Sequence, residues 1–195
     1  MTDSRFTRAL ALIDAAHADD PRTAYDGDTP RPYELLYAER MSDWLGRVAP
    51  EASVPLKLAI RAQHLRRWES PRDSYPMDRA GYHAWRTDLQ KRQAELAQEL
   101  VIQAGFEEDI GQRVAALVRK EKLKQDAETQ ALEDTTCLVF LAYYFDDFAQ
   151  AHEESKLLDI ITRTWRKMSA QGQSLSATAP LSDNTKRLVE KALAG

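Results

Sequence analysis

The chain has 195 residues, 43% of them apolar and 30% charged, with 7 glycines, 8 prolines and a formal net charge of −4. So few Gly and Pro exclude collagen-like, mucin-like and low-complexity chains, and recurrent apolar residues at low net charge exclude disorder. The length suffices for a core without disulfides, and the acidic balance argues against a general nucleic-acid binder.

The start, Met1-Thr2-Asp3-Ser4-Arg5, lacks the basic-then-apolar layout of a signal peptide. Phe6, Leu10 and Ile13 then form one stripe of a first helix, ending near Asp20-Pro21. A loop with Gly27, Pro30 and Pro32 precedes a second helix carrying Leu36, Met41, Trp44 and Val48 and closed by Pro50. Ser53 reads as the N-cap of a third helix, with Pro55 in its first turn and Leu56, Ala59, Ile60 and Gln63 along it. After a loop from Ser70 to Pro76, Asp78 caps a long helix reaching about Ala104, with Gly105 just past its end.

Phe106, Ile110, Val114 and Leu117 mark the next helix, and a basic turn, 119–124, leads to an apolar helix from about Glu128 to Ala151. Its stripe takes in Leu132, Cys137, Leu138, Leu141, Tyr144, Phe145 and Phe148. Cys137, the single cysteine, excludes an intramolecular disulfide and a multi-thiolate zinc site, and reads as a small buried hydrophobe. Leu157, Leu158, Ile161, Trp165 and Met168 form another helix; a Gly/Ser/Ala/Pro stretch, 172–180, then precedes a short helix capped by Ser182. Strand alternation and internal repeats are absent, and no apolar run reaches the ~18 residues of a membrane span. The expectation is an all-α, single-domain helical bundle of about eight helices in a reducing cytoplasm. Residues 1–170 form the domain, and residues 171–195 a linker and terminal helix packed on it.

Charge is unevenly spread. Between Lys57 and Arg92 nine basic residues face four acids, whereas between Glu133 and Glu154 there are six acids and no Lys or Arg. The basic window holds His64, followed after Leu65 by Arg66, Arg67 and Trp68, with Arg61 three residues before it. Arginine offers planar, permanently charged donors suited to phosphate or carboxylate. Arg61, Arg66, Arg67, Arg72, Arg79 and Arg86, with Trp68 and Tyr75, can therefore line a pocket for an anionic small molecule, or else pair with Asp73, Asp78 and Asp88 on the surface. Glu133 and Asp134 open the apolar helix, where carboxylates either complement the helix dipole or project a ligand-binding group. His17, His83 and His152 lie beside polar residues and read as solvated.

Three segments carry a resemblance: Glu34 to Ala38; Arg61 to Arg86, with Ser74-Tyr75-Pro76-Met77-Asp78-Arg79 at its centre; and Leu132-Glu133-Asp134. In these the chain resembles, over nearly its whole length, the uncharacterised family called domain of unknown function 4202, which supplies no activity. More distantly, the helix order is similar to HD-type metal-dependent phosphohydrolases, an all-α fold. That resemblance implies His64 and Asp134 as metal ligands, Glu39 as a third, and one divalent ion of Mn, Fe, Co, Ni or Zn. The sequence departs from the pattern at Leu65, which replaces the metal-binding Asp, and at the early His, where Tyr37 or Glu39 stands. The expected function is a divergent HD-like hydrolase of a phosphorylated small molecule, such as a nucleotide, with His64, Glu133 and Asp134 catalytic. A metal-free variant uses His64 as general acid or base, oriented by Asp134 or Glu133. A non-catalytic anion-binding module and an RNA- or protein-contacting module are the alternatives.

Overall fold

The computed structural model describes residues 4–194, so the reading made of Met1-Thr2-Asp3 falls outside it. Ten α-helices dominate the described residues, which divide into two compact units. The first is the chain up to Asp43 with Glu51–Glu121; the second is Trp44–Pro50 with the chain from Lys122 onward.

In the first unit, α1 (Ser4–Ala18) buries Ala9, Ile13 and Ala16 and is followed by a hairpin of β1 (Thr23–Asp26) and β2 (Thr29–Pro32). The strands pair antiparallel, Thr23 opposite Pro32 and Asp26 opposite Thr29, and Gly27 supplies a positive φ of 56° at the turn. The sequence suggests only a loop here. Mostly exposed side chains leave no apolar alternation, and the two prolines are tolerated because both strands of a two-stranded ribbon are edges.

Helix α2 (Tyr33–Val48) lies in the first unit as far as Asp43, and α3 (Val54–Arg61) begins at the expected cap. The Ser53 hydroxyl accepts from the Leu56 N–H, a bond of the kind that contributes about 1 kcal/mol. Asp78 likewise accepts from Gly81 N–H to start α4 (Arg79–Gln103). At the other end Gly105, at φ 98°, donates to the Ile102 carbonyl and Phe106 to that of Val101, the paired bonds of a Schellman stop. The chain then enters α5 (Glu108–Val118), whose Gly111 approaches α4 closely: a Cβ there would lie 3.1 Å from Ile102.

In the second unit, the apolar run predicted as one helix is divided. Helix α6 (Ala127–Val139) starts at Asp126, whose side chain accepts from Thr129 N–H. A wider, π-helical turn, Phe140–Tyr144, separates it from α7 (Phe145–Gln150). Helix α8 (Glu154–Lys167) buries Leu157 and Ile161. The 172–180 stretch is not a bare linker, because α9 (Ala170–Leu175) and a single 3-10 turn occupy most of it. Helix α10 (Asp183–Ala194) follows, with Ser182 accepting from Thr185 N–H as expected. No helix among the described residues is long and apolar enough to cross a membrane.

Candidate functional site

Helix α3 stops at Arg61, and the next residues take an alternating backbone. His64 and Arg66 both adopt left-handed conformations, at φ 64° and 47°. Non-glycine residues pay about 1 kcal/mol or more for that geometry, and such costs gather at functional sites. Between them Leu65 is 2% exposed. Burial of its side chain contributes about 1.5–3 kcal/mol, enough to hold the turn in place. Leu65 is thus a core anchor that leaves His64 in a fixed orientation.

The imidazole is bonded at both nitrogens. Nδ1 lies 3.2 Å from Oε2 of Glu34, in the first turn of α2, and Nε2 lies 2.9 Å from Nη1 of Arg67. A guanidinium can only donate, so Nε2 must accept, and the ring is neutral with its proton on Nδ1 facing Glu34. Tyr37 stacks on the ring at 4.3 Å between centroids. Burial and the Arg67 charge lower the His64 pKa to about 4, against the opposing pull of Glu34.

Glu34 is 1% exposed. Burial opposes its charge, but His64, the Arg22 hydrogen bond and the field of Arg67 outweigh it and hold the carboxyl at about 2. Arg22 bridges Glu34 at 2.7 Å and the buried Asp20 at 2.9 Å, while Asp20 also accepts from the Glu34 N–H. The carboxylate that orients His64 is thereby fixed from behind.

Beside His64 lies a cavity of about 50 Å³. Its walls are His64 and Arg67, the face of α4 with Trp85, Arg86 and Gln93, and Lys120 just past α5. Arg67 lies over the Trp85 ring at 5.2 Å, and the Trp85 indole N–H donates to the Ser70 carbonyl at 2.9 Å. Three cationic side chains and no carboxylate are among the lining residues, so the field favours an anion.

The other expected pocket residues have different partners. Arg61 is bidentate to Asp14 at 2.6 and 2.9 Å and reaches Ser42. Arg66 pairs with Asp19 and Glu69. Arg72 donates to the carbonyls of Tyr75, Pro76 and Asp78 and shapes the loop before α4. Tyr75 donates to Asp88 at 2.9 Å. Trp68 is half-buried in the 3-10 turn Arg67–Glu69, outside the cavity lining, and Arg79 is exposed at the start of α4. Only Arg67 and Arg86 of the predicted arginines line the cavity. His17 is fully buried, not solvated, and bonds the Arg61 carbonyl at 2.9 Å.

Glu133 and Asp134 do not open their helix; that end belongs to Asp126, and both lie buried within α6. Glu133 faces Lys167 at 3.4 Å. Asp134 accepts from Gln130, from the Ser169 N–H at 2.8 Å and from the Ser169 hydroxyl, tying α6 to the start of α9. Glu39 pairs with Arg31 at 2.6 Å. Among the described residues no group of three or more His, Cys, Asp or Glu side chains is placed to hold a metal ion. Of the residues expected as ligands, His64 bonds Glu34 and Arg67, Asp134 bonds Ser169, and Glu39 pairs with Arg31.

Sequence reasoning missed Glu34, Gln93 and Lys120 as neighbours of His64. An acid in the first turn of α2 looks like any helix-dipole partner. Gln93 did carry a signal, because it interrupts the i, i+4 row Trp85, Leu89, Ala97, Val101 that forms the buried stripe of α4. Residues 7–189 match the family described as Domain of unknown function (DUF4202), so the chain belongs to that family. No curated protein and no solved structure matches it.

Proposed function

We propose that the first unit binds a phosphorylated small molecule in the cavity beside His64 and hydrolyses its phosphoester without a metal. The observation that carries this reading is a neutral imidazole held by a buried carboxylate on Nδ1, with its other edge beside Arg67, Arg86 and Lys120. That is the arrangement of an oriented general base next to an anion site. Glu34, rather than Glu133 or Asp134, is the orienting group.

An incoming phosphate competes with Nε2 for Arg67, and its charge wins the guanidinium. Nε2 then takes a proton from water as the water oxygen bonds to phosphorus, Glu34 stabilises the imidazolium, and the proton passes to the departing alkoxide as its bond to phosphorus breaks. Arg67, Arg86 and Lys120 offset the charge on the equatorial oxygens. The recognised group is the phosphate itself, since the Trp85 ring is buried under Arg67. The buried Cys137, the single cysteine of the chain, suits a reducing, cytoplasmic setting.

Release of inorganic phosphate from a panel of phosphomonoesters tests the reading. Glu34→Gln and His64→Asn should each lower turnover at least ~10²-fold, the usual scale of a general base. Unchanged turnover in His64→Asn overturns it. The Arg67 bond to Nε2 favours a second reading, an anion-binding module that never frees the base; saturable binding without phosphate release would select it.

A further inference from the structure

The cavity lining holds a side chain that the acid–base site does not use. Gln93 is 7% exposed, yet its amide nitrogen has no hydrogen-bond partner among the described residues. A buried donor left unpaired costs about 1–3 kcal/mol, and one kept on the apolar stripe of a long helix calls for a reason. Leucine or methionine would fill the same volume without that cost.

We infer that Gln93 reads the ligand: its amide N–H donates to one oxygen of a phosphate group seated against Arg67, Arg86 and Lys120. The inference rests on the cavity being the binding site proposed above and names the chemistry that the site recognises. Three cations without a carboxylate select a doubly charged anion over a singly charged one. An uncharged donor adds what charge alone lacks, a directional contact that needs an acceptor oxygen and that a halide cannot orient. A cavity of about 50 Å³ suits a compact group such as a phosphate head better than a large organic body. That volume is well below the ~300 Å³ at which pockets begin to enclose a drug-sized ligand.

Gln93 also borders a second hollow with Glu69 and Arg92. There Glu69 offsets Arg66, its ion-pair partner, so that Arg92 is the one cation left to draw an anion, against three in the first cavity. Arg92→Ala therefore serves as the control for that side.

The test is calorimetric titration of the full chain with inorganic phosphate, against acetate and chloride at equal ionic strength. Phosphate should bind saturably and the other two should not. Gln93→Met, of similar length but without the N–H, should weaken phosphate binding tenfold or more, while the thermal midpoint without phosphate stays level or rises because the unpaired donor is gone. Arg92→Ala should bind like the parent. In the parent protein the Gln93 side-chain amide resonance should move with phosphate and saturate with it, which keeps the inference open to refutation should Gln93→Met fail to fold. No saturable phosphate binding, equal affinity in Gln93→Met, or a Gln93 resonance indifferent to phosphate each overturns it. Saturable, Gln93-dependent binding without phosphoester hydrolysis refutes the catalytic reading and leaves this one standing. Hydrolysis that depends on His64 but not on Gln93 does the reverse.

Discussion

Acidification from pH 7 to pH 5 should destabilise the protein through His64, and the size of the effect follows from its surroundings. In the unfolded chain the imidazole takes a proton near its ordinary 6.5, whereas in the fold burial and Arg67 delay protonation to about 4. Between those values the unfolded state binds more protons, so stability falls as pH falls, and the full contribution is present only above 6.5. Integrating that difference between pH 7 and pH 5 gives a loss of about 2 kcal/mol. The comparison is His64→Asn, because asparagine tolerates the left-handed backbone and its amide can still donate towards Glu34. His17, whose burial also lowers its pKa, adds a loss of the same sign in both proteins and cancels. Glu34, held at about 2, titrates in the fold below this window. Urea unfolding at the two pH values should show the parent losing about 2 kcal/mol more than His64→Asn. An equal loss in both would refute the neutral, Arg67-capped imidazole.

Two further outcomes follow from the same structure. Arg67→Met removes the charge facing Nε2, so the His64 ring resonances should titrate at a higher pH than in the parent, read by proton NMR; an unmoved titration would mean that burial alone sets it. Asp134→Asn weakens the bonds that hold Ser169 and should cost about 1–3 kcal/mol in chemical unfolding, with phosphate affinity in the cavity unchanged. Loss of phosphate binding by the folded variant would instead return Asp134 to the ligand site.

The helices were legible because their signals are local. Ser53, Asp78 and Ser182 cap where side-chain chemistry alone places caps, and Gly105 stops α4 because its φ of 98° suits glycine. The hairpin and the break after Val139 were not legible, since exposed proline-containing strands lack alternation and a π turn leaves the apolar pattern nearly intact. For the site, three residues that stand out in the sequence, His64, Arg67 and Arg86, line one cavity.

Interactions a few residues apart thus set the helical class, most element ends and the basic window around His64. Which side chains share a cavity depended on long-range docking. Glu34 reaches His64 from 30 positions away, and Asp134 is spent on Ser169, 35 positions on. Arg61, beside His64 in the chain, turns instead to Asp14. Such pairings depend on how buried faces dock, and a charged side chain takes whichever partner that docking brings within reach, which no local pattern encodes.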